Sequence, residues 1–179
     1  MSAVPEPKKI TVDEFMQTTE ESTLLELLDG ETVAMGSPTR IHQRISVHLG
    51  RTIEDHIQQH HGACSVDVAA GARLNDHTLV IPDVMVVCDS SKLDDQYCHG
   101  APDWVIEVLS TNRDRDLYQK LLLYRDAGVR EYWIVDPKNE KTLVYFFEKS
   151  DFPDIYTFDT PVPVGIYDGA LSIRIAGLL

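Results

Sequence analysis

Trp104-Val105-Ile106-Glu107-Val108-Leu109 reads as a buried strand with one carboxylate set into it. Strand side chains alternate between faces, so Glu107 shares a face with Val105 and Leu109. Burying an unpaired carboxylate costs on the order of several kcal/mol even after the surroundings relax. A metal ion, a cation or a shifted pKa has to compensate. Residues 113–127 then read as a helix, stopped by Gly128. Arg130-Glu131-Tyr132-Trp133-Ile134-Val135 reads as a second strand, closed by Asp136-Pro137. A strand–helix–strand unit over 103–135 implies a right-handed crossover and parallel pairing of its two strands.

The flanking sequence extends this unit into an α/β domain. Residues 11–16 predict a short helix, with Thr11 and Glu14 at capping-box spacing. Residues 24–35 predict a hairpin around Asp29-Gly30. Ile41, Ile45, Leu49, Ile53 and Ile57 recur every fourth position, the stripe of an amphipathic helix ending near Gly62. Residues 65–74 and 79–88 each read as one strand, able to pair antiparallel, and 89–102 as a polar loop. Residues 142–147 should pair with 130–135, with weaker strand signals at 155–158 and 171–175. The expected fold is a mixed β-sheet flanked by helices, with an N-terminal β-hairpin. Residues 1–10 are expected to form a mobile arm, and 11–179 a single domain.

Composition narrows the function classes. The 179 residues, 43% hydrophobic and 25% charged, suit one globular domain. No apolar run is long enough to span a membrane, and residues 2–9, with proline and charge but no apolar core, are not expected to be a secretory signal. Cys64, Cys88 and Cys98 suggest neither a disulfide framework nor a zinc ribbon, so reduced thiols and a cytoplasmic location are expected. No phosphate loop, dinucleotide fingerprint or serine elbow is present. The net charge of −13 argues against a broadly basic nucleic-acid surface. Residues 113–130 nonetheless carry five bases (Arg113, Arg115, Lys120, Arg125, Arg130) against three acids (Asp114, Asp116, Asp126). That allows a locally positive mouth on an acidic body; a merely solubilising surface is the plainer alternative.

A second acid, Asp83, lies in another apolar run, Val80-Ile81-Pro82-Asp83-Val84-Met85-Val86-Val87. Asp116, Lys120 and Tyr124 are spaced i, i+4, i+8 on the helix after Glu107 and share one face. Two carboxylates and an amine suit metal-assisted phosphodiester hydrolysis. Magnesium takes oxygen ligands and keeps several waters, so Asp83, Glu107 and the Val108 carbonyl would suffice. Lys120 could hold the attacking water or offset phosphate charge. Each residue also has a structural reading: an ion pair for Glu107, a strand-end cap for Asp83, a solvated strand start for Asp103, core for Tyr124. His42 reads as a helix-start residue, His56 and His60 as surface, and Ser110 and Thr111 as helix caps.

The motif Ala101-Pro102-Asp103-Trp104-Val105-Ile106-Glu107-Val108-Leu109-Ser110, then Asp116, Lys120, Tyr124 and Gly128-Val129-Arg130-Glu131-Tyr132-Trp133-Ile134-Val135-Asp136-Pro137, resembles the Uma-two family of endonucleases. Glu26-Leu27-Leu28-Asp29-Gly30-Glu31, Ser37-Pro38, His42 and Pro82-Asp83-Val84 match as well, so the resemblance runs over roughly residues 11–178. It implies a restriction-endonuclease-like fold with a PD-(D/E)XK core. It further implies Asp83 and Glu107 as ligands of Mg²⁺ or Mn²⁺, DNA as substrate, and a homodimer. The lysine expected two residues after the glutamate is Leu109 here, and the resemblance suggests that Lys120 takes its role. Glu31 and His42 are candidate auxiliaries, with Asp116 and Tyr124. The competing expectation is a non-catalytic nuclease-fold module that binds a regulatory ion or a protein partner.

Overall fold

The computed structural model describes residues 9–18, 25–110 and 114–179, with the side chains of 114–117 outside the description. The expected arm therefore falls largely outside the described residues. Its last two members are held: Lys9 pairs with Asp29 at 2.6 Å, and the Ile10 carbonyl lies 2.9 Å from His77 Nδ1.

The first helix, α1 (Val12–Thr18), opens with the anticipated capping box: Thr11 N–H donates to Glu14 Oε2, and Glu14 N–H to Thr11 Oγ1. Strands β1 (Leu25–Leu28) and β2 (Glu31–Ala34) form the hairpin. Asp29 and Gly30 both take positive φ (50° and 84°), the geometry that favours an Asp-Gly turn. Helix α2 (Arg40–Gln59) follows, N-capped by Thr39. It buries Ile45, Leu49, Ile53 and Ile57, but Ile41, counted in the apolar stripe, is 40% exposed. Gly50 lets α2 approach the sheet, since a Cβ there would meet Val68 Cγ2 at 2.6 Å.

Two stretches expected to be single strands are each broken. Residues 65–74 divide into β3 (Ser65–Val68) and β4 (Gly71–Asn75), in different sheets, and Ala69 between them has φ of 54°. Residues 79–88 divide into β5 (Thr78–Val80) and β6 (Val84–Val87), again in different sheets. Pro82 lies at that break, where it has no N–H to give a sheet. Asp83 therefore sits at the junction just before β6, not within a strand. The polar loop contains a further strand, β7 (Tyr97–His99), parallel to β4.

Next come β8 (Trp104–Val108), α3 (Asp114–Ala127), β9 (Glu131–Asp136), β10 (Lys141–Phe146), β11 (Asp154–Thr157), β12 (Val162–Pro163) and β13 (Ser172–Ile173). As expected, β8 and β9 pair in parallel, Glu107 opposite Ile134, and α3 ends at Gly128 with φ of 96°. The architecture is mixed α/β: a five-stranded sheet ordered β2-β1-β5-β4-β7, a six-stranded sheet ordered β11-β10-β9-β8-β6-β3, and the small β12-β13 pair. One core cluster joins α2 to Val84, Val86, Trp104, Ile106 and Val108; the other joins Tyr124 to Met85, Val87, Val105, Tyr132 and Ile134. The alternation along β8 thus holds, and it turns Glu107 towards α3.

The cysteine reading needs correction. Cys64 and Cys88 form a disulfide, leaving Cys98 free and buried. Ser65 opposes Val87 in the antiparallel β3–β6 pair, so residues 64 and 88 meet at the next position. A separation of 24 residues hides that neighbourhood in the sequence. Such a bond is uncommon in a reducing cytoplasm. No described helix is long and apolar enough to cross a membrane.

Candidate active site

Glu107 is the centre of a buried polar cluster. Its Oε1 accepts hydrogen bonds from Lys120 Nζ (2.9 Å) and Tyr124 OH (2.8 Å), one turn apart on α3. Lys120 Nζ also donates to Glu26 Oε1 on β1 at 2.7 Å, and that oxygen accepts the Ile81 N–H at 2.8 Å. Asp83, two residues beyond Ile81, accepts the Val108 N–H through Oδ2 at 2.7 Å, and His42 Nε2 on α2 lies 2.9 Å from the same oxygen. Five elements or junctions converge: β1, the β5–β6 break, β8 and the two longer helices. Among the described residues, the other oxygen of each of the three carboxylates takes no hydrogen bond.

Burial sets the electrostatics. Glu26, Glu107 and Lys120 are 2–3% exposed, and Asp83 is 8% exposed. Desolvation pushes Glu107 up to about 7; Asp83 and Glu26 add to the rise, and Lys120 opposes it. Burial also disfavours charge on Lys120, but Glu107 and Glu26 outweigh it and raise its pKa. Burial, with Glu107 beside it, lifts Tyr124 well above the ordinary phenol value. At neutral pH Lys120 is a fixed ammonium and Tyr124 a fixed phenol donor, so neither serves as a general base.

The remaining candidates separate cleanly. Glu31 lies exposed on β2 and makes no bond to the cluster among the described residues. Asp116 is on α3, but its side chain lies outside the description, as does Thr111. His42, read as a helix-start residue, is 5% exposed and bound to Asp83; its Nδ1 is enclosed without a partner. Asp103 is tied into the fold, accepting from the Cys88 N–H at 2.8 Å and from Arg130 at 3.3 Å. The positive mouth expected over 113–130 is largely spent internally. Lys120 is buried, Arg125 pairs with Asp126, and Arg130 pairs with Asp103 and Glu148. Arg113 and the Arg115 side chain lie outside the description.

Glu26 is the residue the sequence reading missed. The signal was the one that marked Glu107, an acid set in an apolar run, here Leu25-Glu26-Leu27-Leu28.

The donor chemistry fits a hydrated hard cation. Fully ionised, three carboxylates face one ammonium, an excess of two negative charges. Among the described residues no three His, Cys, Asp or Glu side chains gather closely enough to hold a metal by themselves. Magnesium does not need them to, since one or two carboxylates and waters complete its shell. A 360 Å³ cavity whose lining includes Thr39, Ile41, Leu109, Ser110, Asp136 and Lys138 adjoins the end of β8 and the start of α2. A second cavity, of 320 Å³, borders Glu131 and Tyr156. Glu131 is a structural acid: Oε1 accepts from Trp133 Nε1 at 2.7 Å and Oε2 from the Ile166 N–H at 2.8 Å.

A family model described as "Uma2: Putative restriction endonuclease" matches residues 12–157, well over half the chain. The chain belongs to the Uma2 family. The crystal structure of "a putative nuclease belonging to DUF820" from Anabaena variabilis ATCC 29413 superposes with a TM-score of 0.80. The match covers 94% of this chain and 97% of that one at 22% identity, a likeness of fold. No curated protein matches the chain. Within the Uma2 frame, the polar cluster lies where β8 and α3 meet, on the stretch that carries the family resemblance.

Proposed function

We propose that this Uma2 chain is a divalent-metal-dependent endonuclease that hydrolyses DNA phosphodiester bonds, with residues 11–179 acting as one domain. The observation that carries the reading is the buried Glu107 carboxylate held 2.9 Å from Lys120, with Asp83 joined to the next residue through the Val108 N–H. Neither carboxylate is explained by apolar packing, and Asp83 accepts the N–H of the residue that follows Glu107.

In this reading Asp83 and Glu107 hold Mg²⁺ or Mn²⁺, with the Val108 carbonyl as a third oxygen. The bound ion would lower the pKa of a water and stabilise charge on the phosphoryl oxygens. The protein's own groups supply positioning. The Val108 N–H and His42 fix one oxygen of Asp83, leaving the other to bind. Lys120 and Tyr124 do the same for Glu107. Lys120 is itself held by Glu26, so its positive charge stays beside the reacting phosphate while the phosphorus–oxygen bond breaks. A homodimer would supply two such sites for two strands, and a cytoplasmic location would give access to DNA.

Plasmid nicking in Mn²⁺ tests this. Wild type is expected to nick, EDTA to abolish nicking, and Glu107→Gln, which keeps the acceptor for Lys120 and Tyr124, to lose at least about a hundredfold. Equal activity in wild type and Glu107→Gln would overturn the reading. The tight Lys120–Glu107–Glu26 pairing favours one alternative, a nuclease-fold module in which the cluster is structural or takes a regulatory ion. A structural cluster expects neither Mn²⁺ binding nor nicking, and a regulatory-ion site expects Mn²⁺ binding without nicking.

A further inference from the structure

The 29 acidic residues are distributed with one long gap: none occurs from Thr32 to Ile53, while Arg40, Arg44 and Arg51 do. That gap spans most of α2. The three arginines and Val47 fall at i, i+4, i+7 and i+11, a single stripe of the helix. The stripe lies opposite the buried face of Ile45, Leu49, Ile53 and Ile57, and all four residues are exposed. Among the described residues Arg40 and Arg44 make no ion pair. Arg51 reaches Asp55 only at 3.7 Å, with both side chains largely in solvent. On a chain of net charge −13, a solubilising surface needs no such stripe.

Its position links it to the active site. His42, in the first turn of α2, touches Asp83, and Thr39 and Ile41 line the cavity that Asp136 and Lys138 also border. Arg40, the stripe's first arginine, stands between Thr39 and Ile41 at the N-terminal end of α2, where the helix carries a partial positive charge. From Arg40 to Arg51 the stripe is about 16 Å long. That is about five base-pair rises of one duplex strand.

We infer that the exposed arginine stripe of α2 (Arg40, Arg44, Arg51), with Lys138 at the cavity edge, holds the phosphate backbone of duplex DNA beside the cut. This rests on the nuclease reading and places the phosphate contact on α2 in addition to the positive mouth expected over 113–130. Lys120, Arg125 and Arg130 are paired or buried, and of the described bases that remain exposed and unpaired, Lys141, Lys149 and Arg174 do not border the cavity beside the site, whereas the α2 stripe starts at its edge.

The test is fluorescence anisotropy of a labelled duplex with the full chain in Ca²⁺, across a salt series. The variants are Arg40→Ala/Arg44→Ala/Arg51→Ala and, as control, Arg125→Ala on α3. The triple variant should bind at least about tenfold more weakly, with the slope of log K against log salt reduced by about 2–3, while Arg125→Ala binds as wild type. Thermal melts check that the surface changes leave the fold intact. Unchanged binding by the triple variant, or an equal loss in Arg125→Ala, overturns the inference; so does a wild type that binds no duplex. Nicking by wild type and Glu107→Gln, run in parallel, tells failure of this surface from failure of the nuclease reading.

Discussion

The surroundings of Glu107 oppose its charge, and a few groups repay part of that opposition. The folded protein holds its proton up to about pH 7, while an ordinary glutamate releases it near 4.5. Between those values the native state binds more protons than the unfolded chain, so stability falls as pH rises, by at most about 1.4 kcal/mol per unit. The metal-free protein should therefore melt lower at pH 7.5 than at pH 5, and Glu107→Gln should flatten that slope in calorimetry. A steeper fall in the variant would sink this account of the carboxylate. Lys120, with its pKa raised, contributes over this whole range and loses its charge only in strong alkali. Glu107 was legible in the sequence because a carboxylate interrupts an apolar strand. Glu26 carried the same mark, but nothing local says that two such acids share one lysine. The burial of His42 was equally hidden, because its partner Asp83 lies 41 residues away.

Lys120 ties α3 to both sheets, since it bonds Glu26 in the five-stranded sheet and Glu107 in the six-stranded one. Removing it leaves two buried carboxylates without a counter-charge. Lys120→Met should cost about 3–5 kcal/mol in urea denaturation at neutral pH. Glu26→Ala strands the Ile81 N–H as well and should cost about 1–3 kcal/mol. If either change is neutral, the cluster does not join the sheets energetically. Helices α1, α2 and α3, the Asp-Gly hairpin and the β8–β9 pair all follow from periodicity, caps and turn residues. The two strand breaks do not. Residues 79–88 are apolar almost throughout, and alternation cannot say where a chain leaves one sheet for another. Pro82 was the only local sign, and it places Asp83 at a junction where its carboxylate can reach a backbone N–H of a neighbouring strand.

For the whole molecule, the Cys64–Cys88 bond closes a loop across β3 and β6, at the pair's end away from Asp83. With the cysteines 24 positions apart in the chain, it should stabilise by about 3 kcal/mol. Alkylation of the unfolded, unreduced chain should label Cys98 alone, and all three cysteines after reduction; three labels without reductant would remove the bond. By itself, the sequence determined the local periods, the turn and caps, the α/β class and the out-of-place carboxylate, because each is written in neighbouring residues. Only the tertiary structure decided which acids share Lys120, where Asp83 stands, which cysteines meet and which arginines stay free. Those are pairings between distant segments, set by how two sheets and three helices bury their apolar faces together, and no short stretch of chain contains them.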